Sequence, residues 1–243
     1  RVAFFVTSAT GFVNLAIASV TAFHISETSI KTRSKDTGVA VLRFWPNGRG
    51  SYVTELSFDK EGLWELEIAL LNTERVSQTL MLPIRVNEEF IAPKVGSKAK
   101  MSLNKTLSDV SSIGELTTGS LQDPDLYQLT IPEAIQTKRP TVVAIESPAF
   151  CTSIICGPQS EVLHHLKGSY GSRVNFIHVE VYDNPHEIKG DLGNALLSPI
   201  VLEWQLPSVP WTFIIDGEGF IMARFEGFAP AIEIEETLLE LLT

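Results

Sequence analysis

The sequence has little cysteine, little positive charge and no long apolar run, and each shortage excludes something. Two cysteines, Cys151 and Cys156, occur among 243 residues. Two are too few for a disulfide-rich scaffold and cannot complete a metal site by themselves. Lys and Arg number 19 against 29 Asp and Glu, for a formal net charge of −10. Nucleic acid is therefore a poor partner, because phosphate binding needs clustered basic residues. The nearest approach to a cluster, Lys94, Lys98, Lys100 and Lys105, is loose and reads as part of a solvated linker. No apolar run reaches the roughly 18 residues that a membrane-spanning helix needs. The chain opens on Arg1 rather than Met. The expectation is a mature or shortened form whose targeting segment, with any membrane tether, lies outside it.

What is there is ordinary globular material, 44% apolar and 20% charged, at a length suited to two domains. Residues 1–87 read as β structure. Apolar runs at Val2–Thr7, Leu15–Ile25, Val39–Phe44, Tyr52–Phe58 and Leu63–Leu70 are separated by turn signals such as Pro46-Asn47-Gly48. Trp64, Leu66 and Ile68 alternate with Glu65 and Glu67, the period-2 pattern of a half-buried strand. His24 sits alone in an apolar strand and is expected to be structural. Residues 88–124, punctuated by Pro93, Gly96, Gly114, Gly119 and Pro124, read as an extended connector.

From residue 125 onward helix and strand signals alternate. Thr130-Ile131-Pro132-Glu133 is a capping box with proline early, where its missing N–H costs nothing. Pro140–Glu146 is a continuous apolar strand of the kind buried on both faces. A helix is predicted over Pro158–Tyr170, strands over Val174–Val181, Trp211–Asp216 and Phe220–Glu226, and a closing amphipathic helix over Ala231–Leu242.

The cysteine pair lies between the buried strand and the following helix. A thiolate is the nucleophile in disulfide exchange, and free amides at a helix start lower a thiol's pKa. Five positions along a regular helix span about 7.5 Å of axis, beyond the Cα separation of roughly 4.4–6.8 Å that a disulfide accepts. Cys151 is therefore expected in the loop ahead of the helix, with Cys156 at or near its first turn beside Gly157 and Pro158. Which of the two attacks stays open.

This order, the cysteine position, the segment Leu206-Pro-Ser-Val-Pro-Trp-Thr and the late Gly227 resemble the thioredoxin-like superfamily over about 115 residues. The string Ser147-Pro-Ala-Phe-Cys-Thr-Ser-Ile-Ile-Cys-Gly-Pro looks like an exported bacterial subgroup with four residues between the cysteines. A second alignment sets Cys156-Gly-Pro-Gln159 on the two-residue motif, with Gln159 in place of the resolving cysteine. The resemblance implies a C-terminal α/β thioredoxin-like domain over 125–243. It further implies a cis Val209-Pro210 loop facing Cys151 and Cys156, and protein thiols or disulfides as partners. Glu146 is the nearest candidate for the family's proton-transfer carboxylate and is expected at a surface or strand end. Gly50–Leu66 resembles the strand pair of immunoglobulin-like modules in exported bacterial proteins, which implies an N-terminal all-β sandwich over 1–87.

Three functions follow as expectations. The leading one is an extracytoplasmic thiol–disulfide oxidoreductase, with no cofactor beyond its own redox-active pair. The second is copper binding as in Sco-type proteins, with Cys151, Cys156 and a histidine as ligands, since soft thiolates suit Cu(I). His178 is the preferred third ligand, with His164 or His165 on the helix as substitutes. The third is a binding module in which the pair is a fixed disulfide.

Overall fold

The computed structural model describes residues 1–243 apart from 16, 29, 46–47, 72–75, 90 and 151–155; the side chains of 33–35, 76–77 and 156–158 also lie outside the description. The chain divides into two compact units, Arg1–Phe90 and Ile91–Thr243. None of the described helices is long and apolar enough to cross a membrane.

The first unit is built from alternating strands, as its sequence pattern requires. They are β1 (Val2–Phe4), β2 (Thr7–Ser8), β3 (Gly11–Phe12), β4 (Ile17–Ile25), β5 (Lys31–Phe44), β6 (Gly50–Thr54), β7 (Gly62–Leu71) and β8 (Val76–Val86). Trp64, Leu66, Ile68 and Leu70 of β7 are buried, and the residues between them are not. Six strands form one antiparallel sheet in the order β1-β6-β5-β4-β7-β8, and β2-β3 form a separate ribbon. The two facing sheets of an immunoglobulin-like sandwich are not what the described residues form. Period-2 alternation reports that one face of a strand is buried and does not say what covers it. Strand β8 escaped the sequence reading because Pro83 interrupts it; proline is tolerated there since β8 is the outermost strand. His24 Nε2 donates to the Glu61 carbonyl at 3.3 Å and packs edge-on against Trp64, a structural role.

The second unit contains α1 (Ile131–Gln136), β9 (Thr141–Glu146), α2 (Cys156–Tyr170), β10 (Asn175–Glu180), α3 (Pro185–Ile188), α4 (Pro199–Glu203), β11 (Trp211–Ile215), β12 (Ile221–Glu226) and α5 (Ala231–Leu241). Its sheet runs β10-β9-β11-β12, with β10 parallel to β9, β11 antiparallel to β9 and β12 antiparallel to β11. This is the thioredoxin-like connectivity that the sequence resemblance implies. The capping box forms as read: Thr130 Oγ1 accepts from the Glu133 amide at 3.3 Å, and Glu133 accepts from the Thr130 amide at 2.8 Å.

Both faces of the sheet are covered. Val143, Ile145, Ile177, Val179, Phe213 and Ile215 join Ile131, Ala134 and Trp204 in one core. Alternation and register put Ala144, Glu146, His178, Glu180 and Thr212 on the opposite face, over which α2 packs.

Residues 91–124 are not a free connector; they count with the second unit. Gly96 and Ala99 amides donate to the carbonyls of Ile221 and Gly219 beside β12. Arg224 Nη1 donates to the Pro93 carbonyl at 2.8 Å, Asn104 Oδ1 accepts from the Ile131 amide at 2.8 Å, and Trp204 Nε1 donates to Ser102 Oγ at 3.0 Å. Turn-rich composition predicts irregular backbone correctly, but irregular backbone still satisfies its polar groups, here against the sheet edges and α1.

Candidate functional site

The site lies where β9 ends. Glu146 is the last residue of β9, and ten residues later Cys156 opens α2. Register carries Pro210, which precedes Trp211, to the place opposite Glu146, because Trp211 pairs with Ile145. The Val209-Pro210 peptide bond is cis. The Gly227 amide donates to the Pro210 carbonyl at 2.9 Å, and Gly227 has φ of 75°, a conformation glycine adopts without Cβ strain. Two residues on, Ala229 donates its amide to Gln159 Oε1 at 2.8 Å, and Gln159 Nε2 donates back to the Ala229 carbonyl at 3.3 Å. Gln159 is fully buried. The first turn of α2, the loop after β12 and the cis-proline loop are thereby joined through one chain of hydrogen bonds. The Gln159 amide holds the helix start to Ala229.

Cys151 lies outside the described residues. Cys156, Gly157 and Pro158 form the opening of α2, with side chains outside the description. Among the neighbours that are described, Phe150 packs its ring edge-on to Tyr182 with centroids 6.3 Å apart. Val209 is half-buried and Pro210 buried.

Glu146 stands at a strand end, as one of the two sequence expectations has it, but it is fully buried and not at the surface. A buried strand carries alternate side chains to both faces, and the last of them meets α2 before the chain leaves the sheet. Ser160, one helical turn past Cys156, donates its hydroxyl to Glu146 Oε1 at 2.6 Å. Burial pushes the Glu146 carboxyl well above the ordinary carboxylate range; Glu180 adds to the rise and the Ser160 hydrogen bond opposes it. Burial thereby favours its protonated form.

His178 stands beside it. Its Nδ1 lies 2.7 Å from the Tyr127 hydroxyl and its Nε2 lies 3.9 Å from Glu146 Oε1. Neither His178 Nε2 nor Glu146 Oε2 has a hydrogen-bond partner. Burial lowers the imidazole to about 4, against a smaller opposing effect of the Glu146 main-chain carbonyl. Glu180 is raised by burial, offset by hydrogen bonds that include the amide of Thr118 at 2.8 Å and its hydroxyl at 2.9 Å. Sequence reasoning considered His178 only as a metal ligand and missed its pairing with Glu146. The two positions lie on adjacent strands at the same face, a relation that only the sheet register discloses.

The helix histidines do other things. His164 Nδ1 is 2.7 Å from Asp123 Oδ2, and Lys167 Nζ reaches the same oxygen at 2.7 Å. Burial works against ionisation of Asp123, but the hydrogen bonds from Lys167 and His164 outweigh it and hold the carboxyl below its usual range. His165 is exposed. Among the described residues, no group of three His, Cys, Asp or Glu side chains is placed to hold a metal ion.

A pH dependence follows from His178. Its folded value of about 4 lies below the 6.5 of the unfolded chain, so the unfolded state takes up a proton first as pH falls. The stabilisation associated with this group is complete above pH 6.5 and is lost on acidification toward pH 4, about 3 kcal/mol in all. Urea denaturation at pH 7 and pH 4 should show His178→Gln gaining on the wild type by that order as pH falls. A gap independent of pH would show that the imidazole is not held neutral.

The chain matches no protein-family model, and no curated protein matches it. Solved structures do resemble it. A Chlorobium tepidum protein named for thiol:disulfide interchange (DsbE) is 14% identical, covering 62% of this chain and 99% of its own, with a TM-score of 0.44. A thio-disulfide isomerase from Thermus thermophilus is 22% identical over 47% of this chain and 86% of its own, at 0.35. An exposed lipoprotein thioredoxin of Streptococcus pneumoniae is 19% identical over 44% and 87%, at 0.33. The assignment of the fold rests on strand order and connectivity, not on these likenesses.

Proposed function

We propose that the second unit carries out thiol–disulfide exchange with protein thiols or disulfides, using Cys151 and Cys156. The observation that carries the reading is the position of Cys156. It is the first residue of a 15-residue helix that follows a buried strand, and one helical turn along that helix Ser160 donates to the buried Glu146 at the strand's end. Free amides and the dipole at such a helix start favour the thiolate of Cys156. Glu146 offers a proton acceptor and donor in a site closed to water, matched to the proton that a thiol must lose when a mixed disulfide resolves.

In this mechanism the thiolate of one cysteine attacks a substrate disulfide and expels a substrate thiolate, which takes up a proton. The second cysteine gives its proton to the carboxylate form of Glu146 and attacks the mixed disulfide, releasing the second substrate thiolate and closing the Cys151–Cys156 bond. Two electrons pass from the dithiol to the substrate. The reverse sequence oxidises substrate thiols. The cis Val209-Pro210 turn, facing the same end of β9, would offer backbone to an extended substrate. An oxidising compartment outside the cytoplasm suits a paired cysteine motif of this kind.

The test is turnover of a mixed-disulfide peptide by wild type, Cys151→Ser and Cys156→Ser. Both variants are expected to fall to background, with one of them trapping a covalent adduct of substrate. Equal background rates in all three proteins would end the reading. No observation among the described residues favours copper over exchange: His178 turns Nδ1 to Tyr127 and Nε2 toward Glu146. A staple would show itself as a pair that resists mild reductants.

A further inference from the structure

Glu146 is fully buried, so a proton that reaches it needs a way out. Ser160 closes its Oε1 from the helix side. On the other side stand His178 and then Tyr127, in that order, and both line a cavity of about 290 Å³ bounded by Leu116, Lys105, Asp183 and Ser198. Two of the four described buried side-chain atoms that lack a hydrogen-bond partner are Glu146 Oε2 and His178 Nε2, on neighbouring strands of the same sheet face. Such pairs are rare in buried sites, where polar groups are otherwise satisfied, and they point to atoms that exchange a proton.

We propose that His178 is a positioning residue for Glu146 and the middle group of a proton path from that carboxyl, through Tyr127, to the cavity. The path serves the exchange chemistry proposed above and rests on that reading for its purpose. Its steps balance without any redox change. Glu146 gives its proton to His178 Nε2, His178 Nδ1 gives its own to the Tyr127 oxygen, and the Tyr127 hydroxyl proton leaves to water in the cavity. Uptake runs the same steps backward, and both tautomers of neutral His178 are used in turn.

The charged and titratable surroundings of His178 are few. Glu146 faces it from β9 and Glu180 lies two residues along β10. Tyr127 faces it from the 124–127 turn, and Asp123, which caps that turn, pairs with Lys167 and lies 2.7 Å from His164 Nδ1 of α2. Lys105 and Asp183 pair with each other at the cavity rim, 2.9 Å apart. None of these can replace His178 between Glu146 and Tyr127.

The test is infrared-detected hydrogen–deuterium exchange of the Glu146 carboxyl in the full chain, its carbonyl band assigned by its loss in Glu146→Gln. Loss of the imidazole removes the group that receives the proton. His178→Gln and Tyr127→Phe should therefore each slow exchange of the carboxyl by about ten-fold or more. Exchange at the wild-type rate in either variant overturns the path. Should His178→Gln fail to fold, the Tyr127→Phe kinetics decide alone. The infrared readout does not involve cysteine. Loss of exchange activity dependence on Cys156 would thus sink the proposed function and leave this result standing.

Discussion

Glu146→Gln is expected to be more stable than the wild type above about pH 5 and slower in exchange by roughly 10²-fold, the lower range for loss of a general acid–base group. The stability half follows from linkage. Burial raises the folded carboxyl above the unfolded value of 4.5. The folded state therefore keeps a proton that the unfolded chain releases, and stability falls as pH rises from about 4.5 through the folded value. The loss accrues at about 1.4 kcal/mol for each pH unit between the two. Glutamine holds no such proton. Its Oε1 can still accept from Ser160, and its amide brings a donor to the side of His178 Nε2, which otherwise lacks a partner. The advantage of the variant should widen with pH through that window, as read by urea denaturation from pH 4 to pH 9. A pH-independent difference, together with wild-type turnover, would remove Glu146 from the mechanism. A gain in stability paired with a loss of rate is the signature of a group kept at a cost for its chemistry.

Trp204→Ala should cost about 3–5 kcal/mol, the largest single loss of stability expected in the second unit. Trp204 follows α4 and is completely buried, with its ring edge-on to Phe213 at a centroid distance of 4.8 Å. Its indole N–H donates to Ser102 in the segment before α1. Alanine leaves a void in the core and strands a buried hydroxyl. Trp204→Phe keeps most of the apolar contact and loses only the hydrogen bond, which should cost roughly 1–2 kcal/mol. Denaturant unfolding of both variants separates the two contributions. A loss under 1 kcal/mol for alanine would mean that residues 91–124 and α4 are not part of the cooperative core.

Much of the second unit was readable in advance because its signals are local. The capping box at Thr130 and Glu133, the unbroken apolar run of β9 and the amphipathic period of α5 each decide an element within a few residues. Residues 88–124 read as an extended or irregular connector for the same reason: their composition is that of a loop. Their partners are Gly219, Ile221 and Arg224, far along the sequence, and no local pattern announces them. The first unit shows the converse. Alternation located its strands, yet the same alternation serves a sandwich and a single sheet, and the order β1-β6-β5-β4-β7-β8 emerges only from pairing.

The sequence by itself placed two cysteines about the start of a predicted helix after a buried strand, in a chain whose net charge makes nucleic acid a poor partner; the roles of Pro210 and Gly227 were what a thioredoxin-like resemblance implied. These are matters of composition, spacing and backbone preference, which act over a few residues. Only the tertiary structure decided that Glu146 is buried, that His178 and Tyr127 stand in line behind it and that Gln159 ties α2 to Ala229. Burial and proximity arise when strands distant in sequence are set in register, and a carboxyl changes its protonation by what it is packed against.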